Sequence, residues 1–225
     1  MADKPSSPIF GRLALIGIGL IGSSIARVAK RENLAGHISA SARTQDSLDK
    51  AIELGFADSV SLDQKAAVKD ADMVIICAPV GAYEEIIKTI APALKPGAIV
   101  SDVGSVKQAV VRDLGPHIPE GVHLIPAHPV AGTEHSGPEA GFPELFEDRW
   151  CILTPPPGTD QKSVEAVKSF WQAAGSDVEI MDPNPHDLVM AMTSHLPHLI
   201  AYTIVGTATD LEKTLRNEVI KFSAG

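Results

Sequence analysis

Short apolar runs typical of buried β-strands alternate along most of the chain with amphipathic stretches typical of helices. Ile75 and Ile76 lie in an unbroken apolar run, the pattern of a strand that is covered on both faces. The stretch from Thr44 to Leu54 predicts a helix that Thr44 caps and Gly55 ends. The predicted strands are residues 13–16, 38–41, 73–77, 98–101, 122–125, 151–153 and 178–181. This alternation predicts an α/β fold with a doubly wound sheet.

The alternation ends after Asp182. Pro183 and Pro185 interrupt the chain, and residues 186–222 predict helix without a further strand. About forty helical residues do not bury a core of their own, so they either pack on the sheet domain or belong to a helical second domain that a partner chain completes. We therefore divide the chain into a loose tail (1–10), a sheet domain (11–182) and the start of a helical domain (183–225). Residues 128–150 predict a long loop, a type of segment that often carries function.

No segment predicts a membrane span or an export signal. A spanning helix needs about 18 or more apolar residues in succession, and no uninterrupted stretch approaches that length. Residues 13–28 are apolar, but they contain three glycines and end among basic residues (Arg27, Lys30 and Arg31) instead of at a cleavage site. The two cysteines, Cys77 and Cys151, do not form a disulfide framework and agree with a reducing cytoplasm.

Composition and charge narrow the function classes. The 225 residues are 44% hydrophobic and 21% charged, which is typical of a globular protein and excludes a disordered or fibrous one. With 19 basic and 28 acidic residues the net charge is −9, and no run of Lys or Arg forms a basic stripe. This charge disfavours nucleic acid as a partner.

A glycine-rich turn follows the first predicted strand. Gly17-Ile18-Gly19-Leu20-Ile21-Gly22 comes directly after residues 13–16 and opens the next helix. In this context Gly17 permits the tight turn, Gly19 lets the backbone approach a pyrophosphate, and Gly22 lets helix and strand pack closely. The first helical residues, Leu20 and Ile21, present backbone amides to the anion. The turn therefore predicts a dinucleotide-binding site, with glycine-rich packing alone as the alternative.

The end of the second strand indicates which dinucleotide is bound. An acidic residue there would bind the ribose hydroxyls of NAD, but residues 39–44 contain no carboxylate and include Arg43. The Arg43 guanidinium can pair with the extra phosphate of NADP, and Ser41 and Thr44 can donate hydrogen bonds to it. NADP is therefore favoured, with NAD and a solvated Arg43 as the alternative.

Three further loops follow predicted strands, and ligands of open α/β sheets bind beyond the carboxyl ends of the strands. The first contains Ala78, Pro79 and Val80, the second is Asp102-Val103-Gly104-Ser105-Val106-Lys107, and the third is His128-Pro129-Val130-Ala131-Gly132-Thr133-Glu134. The second and third loops bring a serine hydroxyl and an imidazole to one edge of the sheet.

Four motifs together resemble the prephenate, cyclohexadienyl and arogenate dehydrogenases of tyrosine biosynthesis. They are G-I-G-L-I-G-S-S, D-V-G-S-V-K, H-P-V-A-G-T-E-H-S-G-P and T-S-H-L-P-H, and the resemblance covers residues 11–225. It implies oxidation of prephenate, arogenate or both, with loss of carbon dioxide and hydride transfer to NADP or NAD. It also implies a Rossmann-type dinucleotide-binding domain followed by an all-helical domain through which two chains dimerise.

The resemblance implies roles for individual residues. His128 and Ser105 are the expected catalytic residues: Ser105 hydrogen-bonds the substrate hydroxyl, and His128 accepts its proton, a task that suits a neutral histidine at cellular pH. The other expected substrate-binding residues are Thr133, Glu134, Ser194 and His198, with Glu134 also a candidate for gating access. His195 either supports the pocket or packs in the core.

A zinc site is the competing interpretation of the same side chains. His128, Glu134, His195 and His198 are possible ligands. The cysteines are dispersed, however, and hydride transfer to a dinucleotide needs no metal, so we expect none.

The chain departs from the family pattern at its end. Family sequences continue beyond K-F-S-A-G into a glycine-rich stretch and an arginine that binds a substrate carboxylate, whereas this sequence stops at Gly225. We therefore expect a fragment of a longer protein or a product that lost its end. A dinucleotide-binding module without turnover is one alternative. Another small hydroxy-acid dehydrogenase is the second, and it would carry a catalytic lysine on the long helix, where Ser194 and His195 stand.

Overall fold

The computed structural model describes residues 7–215. Within it, the β-strands are Phe10–Ile16 (β1), Ala35–Ser41 (β2), Ser59–Ser61 (β3), Met73–Ile76 (β4), Ile99–Asp102 (β5), His123–Leu124 (β6), Ala127–Pro129 (β7), Trp150–Leu153 (β8) and Asp177–Ile180 (β9). The α-helices are Leu20–Arg31 (α1), Gln45–Glu53 (α2), Gln64–Val68 (α3), Tyr83–Ile90 (α4), Lys107–Leu114 (α5), Gln161–Ala173 (α6), Pro183–Met190 (α7) and Leu196–Leu215 (α8). A π-helical segment, Ala191–His195, joins α7 to α8.

The first six strands form one parallel sheet in the order β3-β2-β1-β4-β5-β6. Leu15 of β1 lies opposite Ala40 of β2 on one side and Ile75 of β4 on the other. The strand order reverses between β1 and β4, and ligands of such sheets bind at this position, beyond the carboxyl ends of the strands. The predicted doubly wound, Rossmann-type fold is confirmed.

The central strands are covered on both faces, as their apolar sequences predict. In β1, Leu13 and Leu15 pack in one hydrophobic cluster, and Ala14 and Ile16 pack in another. Side chains of a strand alternate between the two faces, so the two clusters lie on opposite sides of the sheet. This rigid layer holds the strand ends, and therefore the loops of the site, in fixed positions.

The last three strands form a separate sheet that the sequence pattern does not predict. β7 pairs antiparallel with β8, and β8 pairs parallel with β9. The pattern also misses β3 and β7, because each has three residues, too few to show a strand periodicity. The prediction of a loop beginning at His128 is wrong at its start, since His128 lies within β7.

The chain divides into two compact units, one ending at His186 and the other beginning at Asp187. The described part of the second unit exposes large apolar side chains, among them Leu199, Ile204 and Val205.

By length and composition the helix over Pro183–Asp210 is able to cross a membrane, because 18 consecutive residues within it reach a mean hydropathy of 1.4. The sequence expectation considered only uninterrupted apolar runs, whereas this stretch reaches its hydropathy as an average that includes polar residues. Some of these polar side chains are hydrogen-bonded to the helix backbone. Thr203 Oγ1 donates to the Leu199 carbonyl, and Thr207 Oγ1 to that of Thr203. A helix that packs on a second protein chain has the same length and composition.

Candidate active site

The glycine turn between β1 and α1 is closed on two sides and open on a third. Gly17 has φ +99°, and a Cβ there would lie 2.6 Å from the Cys77 carbonyl oxygen. A Cβ on Gly22 would collide with the Gly17 carbonyl oxygen, so a larger residue would push α1 away from β1. A Cβ on Gly19 would meet nothing within 4 Å. The turn therefore leaves room at Gly19, where a pyrophosphate would approach the backbone.

A cleft of about 790 Å³ lies beside this turn, at the carboxyl ends of β1, β2 and β4. Its volume falls in the range of about 300–1,000 Å³ that is usual for small-ligand sites. Burial raises the pKa of the Cys77 thiol in its wall, so the thiol is neutral and does not repel an anion. The predicted dinucleotide-binding residues that line the cleft are Gly17, Gly19, Ser41, Arg43, Thr44, Ala78 and Pro79.

The other predicted dinucleotide-binding residues, Leu20, Ile21, Gly22 and Val80, are not among the cleft-lining residues. Leu20 and Ile21 form the first turn of α1, whose N-cap Gly19 has no capping side chain, and the N–H groups of a first turn point out of the helix end. Val80 faces the next loop instead, since a Cβ on Gly104 would lie 2.9 Å from Val80 Cγ2.

The residues after β2 combine a helix cap with an exposed cation. As predicted, Thr44 caps α2: its Oγ1 accepts a hydrogen bond from the Ser47 amide at 3.3 Å. Arg43 is exposed and lines the cleft. Among the lining residues, Arg43 and Glu85 carry charged side chains. This end of the cleft can therefore bind an additional anionic group.

The loop that carries Ser105 is tied to the strand that carries His128 by a buried ion pair. Lys107 Nζ donates to Asp102 Oδ2 at 2.7 Å and to the Ala127 carbonyl at 2.6 Å, and neither charged side chain is exposed. The Asp102 carboxylate in turn accepts hydrogen bonds from the amides of Gly104 (2.7 Å) and Ala127 (3.2 Å). Ser105 stands between Asp102 and Lys107 in the chain and is exposed. The ion pair therefore fixes both predicted catalytic loops to the end of β5.

His128 is 8% exposed and contacts a second histidine. Its Nδ1 lies 2.9 Å from Nε2 of His186, and the two rings meet edge to face, with centroids 5.1 Å apart. Sequence reasoning assigned no role to His186, which lies in the first turn of α7. Only the folded chain shows that a residue 58 positions away contacts His128.

Thr133 and Glu134 lie in the exposed part of the loop after β7. Thr133 Oγ1 accepts a hydrogen bond from the His135 amide at 3.2 Å. Further on, the loop packs on α1: a Cβ on Gly141 would overlap the Ser23 side chain, and the Phe142 amide donates to Ser24 Oγ. Ser136, Gly137 and Pro138 line the dinucleotide cleft. One loop thus joins the predicted substrate residues to the cleft.

Ser194 and His198 belong to the second unit, Ser194 within the π-helical segment and His198 in the first turn of α8. His198 Nδ1 lies 2.7 Å from the Ser194 carbonyl, which only accepts hydrogen bonds, so Nδ1 carries the proton. Nε2 of the neutral ring is therefore the acceptor atom. Pro197, which has no N–H to continue the helical ladder, lies two residues after the π-helical segment and accounts for the irregularity. His195 is half-buried in the same segment.

Metal ligands do not converge in the part of the chain that the structure describes. No group of three or more His, Cys, Asp or Glu side chains within residues 7–215 is arranged to hold a metal ion. The zinc interpretation of His128, Glu134, His195 and His198 therefore has no geometric support.

Models of known protein families match nearly the whole chain. The model described as "Prephenate dehydrogenase, nucleotide-binding domain" matches residues 25–180, and "Prephenate dehydrogenase, dimerization domain" matches residues 182–225. The chain belongs to the prephenate dehydrogenase family.

Relatives from several bacteria agree with this assignment. A cyclohexadienyl dehydrogenase of Zymomonas mobilis is 40% identical over 96% of this chain and 74% of its own length. A prephenate dehydrogenase of Bacillus subtilis is 32% identical over 95% of this chain, which spans 57% of that protein's length.

Solved structures show the same fold. The Aquifex aeolicus prephenate dehydrogenase, in complex with hydroxyphenyl propionate and NAD+, matches with a TM-score of 0.82 and 34% identity, over 88% of this chain and 69% of that one. A Synechocystis arogenate dehydrogenase matches with a TM-score of 0.79 and 27% identity, over 92% and 74% of the two chains. The dinucleotide-binding fold of this prephenate dehydrogenase family member, inferred from its glycine turn, is therefore shared with an NAD+-bound relative.

Proposed function

We propose that this protein oxidises prephenate, arogenate or both, with loss of carbon dioxide, and passes the hydride to a nicotinamide dinucleotide. The observation that carries the proposal is the buried Asp102–Lys107 pair, because it fixes the Ser105 loop and the His128 strand at the end of β5. The glycine turn and its cleft fit the dinucleotide, which supplies the hydride acceptor when bound.

The proposed chemistry assigns a proton transfer to His128. As the hydride leaves the ring carbon that bears the hydroxyl, a carbonyl forms, and Nε2 of His128 accepts the hydroxyl proton. The ring carboxylate then leaves as carbon dioxide, and the electrons of the broken C–C bond complete the aromatic ring. The same proton can return to the phenolate oxygen. Ser105 orients the hydroxyl by hydrogen bonding, so the protein contributes mainly positioning and proton transfer.

His198 and Ser194 are further expected substrate-binding residues in this proposal. In this proposal the His198 ring faces the substrate with Nε2, since Nδ1 donates to the Ser194 carbonyl. Thr133, Ser194 and Glu134 complete the expected substrate-binding set, with Glu134 in the exposed loop after β7.

NADP is the dinucleotide that the cleft favours in this proposal. Arg43, Ser41 and Thr44 line the end of the cleft beside β2, and residues 39–44 contain no carboxylate to bind the ribose hydroxyls of NAD. A phosphate at this position would gain a charge-assisted hydrogen bond from the guanidinium.

We further expect a homodimer in the cytoplasm. The exposed apolar residues of α8 and the match to a dimerization domain support self-association through the helical part. The two free cysteines agree with a reducing compartment. Sedimentation of the purified protein at several concentrations would show the dimer, and a monomer throughout would contradict it.

Turnover assays test the proposed reaction. The purified protein is offered prephenate and arogenate, each with NADP and with NAD, while the absorbance of the reduced dinucleotide is recorded. Reduction with either substrate, accompanied by release of carbon dioxide, supports the proposal. Dinucleotide binding without reduction in all four combinations would favour a binding module and overturn it.

A further inference from the structure

The histidine pair His128 and His186 is buried and comes from two separate elements. His128 is the middle residue of β7, and His186 lies in the first turns of α7 with no exposed surface. Their ring nitrogens, Nδ1 of His128 and Nε2 of His186, are 2.9 Å apart, a normal hydrogen-bond distance.

The three-stranded sheet holds both rings in place. His128 in β7 and Glu179 in β9 both lie opposite Ile152 of β8. The chain leaves β9 at Ile180 and enters α7, where the His186 amide donates to the Asp182 carbonyl at 3.2 Å. The position of His186 relative to His128 is therefore set by strand pairing and by the start of a helix.

A hydrogen bond between two imidazole nitrogens contains one proton. One nitrogen donates and the other must lack a hydrogen, so the bond persists only while no more than one of the rings is charged. If His128 Nδ1 is the donor, its Nε2 is the unprotonated nitrogen of the neutral ring. If His186 Nε2 is the donor, His128 Nε2 carries the proton and cannot accept another. The direction of this bond therefore decides whether His128 is able to act as a base.

We propose that His186 is a positioning residue that accepts the hydrogen bond from His128 Nδ1 and so holds His128 in the tautomer with Nε2 ready to accept a proton. His186 also keeps the imidazole from rotating, and its acceptor nitrogen stabilises the imidazolium that forms when Nε2 takes up the proton. The use of Nε2 in the reaction rests on the proposed function, whereas the direction of the His128–His186 hydrogen bond does not.

The tautomer is measured directly by nitrogen NMR of protein with ¹⁵N-labelled histidines. Comparison with His128→Asn identifies the His128 signals. We expect the proton on Nδ1 of His128 in the unmodified protein at neutral pH and a mixture of tautomers in His186→Leu. A proton on Nε2 of His128 in the unmodified protein would overturn the proposal, whether or not the protein turns over substrate.

Kinetics separate positioning from a structural role. His186→Leu removes the acceptor at similar volume. We expect kcat to fall about tenfold or more, but by less than the loss of about 10²–10⁴-fold expected when a general base is removed. The KM values for substrate and dinucleotide should remain unchanged. His186→Gln retains an acceptor oxygen and should recover part of kcat and of the Nδ1 tautomer. Equal kcat in the unmodified protein and His186→Leu, or a rise in KM alone, would contradict the positioning role. If His186→Leu does not fold, the NMR result on the unmodified protein and the Gln variant still decide.

Discussion

Lys107 Nζ donates hydrogen bonds to the Asp102 carboxylate and to the carbonyl of Ala127, the residue before His128. The ammonium group thus joins β5 to β7 inside the protein, where neither partner has accessible surface. Removal of one partner from such a pair leaves an uncompensated buried charge. The stability of the first unit and the geometry of the proposed site therefore depend on the same contact.

Lys107→Met should destabilise the first unit by about 3–5 kcal/mol, because it leaves the buried Asp102 carboxyl without its partner. Urea unfolding followed by the fluorescence of Trp171, which is fully buried in that unit, measures the change. Lys168→Met is the matched control, since its ion pair with Glu165 is at the surface and its loss should cost at most about 0.5 kcal/mol. Equal stabilities of the two variants would contradict the structural role of Lys107.

Gly19→Ala and Gly22→Ala should separate ligand binding from folding. A Cβ on Gly19 meets open space, so this variant should fold normally but bind dinucleotide at least about tenfold more weakly, equivalent to 1.4 kcal/mol, as the methyl group occupies the approach of the pyrophosphate. A Cβ on Gly22 collides with Gly17 and should cost about 1–3 kcal/mol of stability. Calorimetric titration and urea unfolding measure the two effects. Unchanged affinity in the folded Gly19 variant would show that the pyrophosphate binds elsewhere.

Arg43→Ala should weaken NADP about 10- to 100-fold and NAD hardly at all, because a charge-assisted hydrogen bond contributes about 1.5–3 kcal/mol. Titration of both dinucleotides checks this difference. Lys162→Ala, on the exposed surface of α6 and outside the cleft lining, controls for the loss of one positive charge. Parallel weakening of NADP and NAD would show that Arg43 does not contact the extra phosphate.

His128→Asn should lower kcat by about 10²–10⁴-fold, the usual contribution of a general base. Dinucleotide affinity should remain unchanged, since His128 does not line the dinucleotide cleft. Steady-state turnover and dinucleotide titration on the same preparation test both statements. An equal loss of dinucleotide binding would argue against the proton-transfer role.

Asp72→Asn should reduce acid sensitivity. Partial burial acts to raise the pKa of the Asp72 carboxyl, but hydrogen bonds from the Lys95 side chain and the Arg12 amide outweigh it, and the pKa is lowered. Its stabilising contribution is therefore present above the unfolded-state pKa of about 3.9 and is lost as the pH falls through the lower folded-state value.

The side chain is 36% exposed, so we expect a contribution of at most about 1 kcal/mol at pH 7. Urea unfolding at several pH values should show a larger free energy of unfolding for the unmodified protein than for Asp72→Asn near neutrality. The two free energies should converge below about pH 4. Exposed Glu120→Gln serves as the control. A stability difference that does not depend on pH would place the effect of Asp72 in packing instead of charge.

The sequence by itself determined the sheet domain, the glycine turn and the family. These are local properties: unbroken apolar runs such as that of β4 require burial on both faces, and Gly17 and Gly22 stand where the backbone leaves no space for a Cβ. The cap of α2 at Thr44 is equally local, since the hydroxyl and the amide that it accepts from are three residues apart.

Only the tertiary structure decided how distant residues meet. The sequence pattern identified β8 and β9 as strands but missed the three-residue β7, and it did not show that the three pair in a sheet of their own. The Asp102–Ala127 contact and the His128–His186 pair join residues 25 and 58 positions apart. Such contacts follow from the path of the whole chain, because a hydrogen bond depends on distances of a few tenths of an ångström and sequence spacing fixes only neighbours along one element.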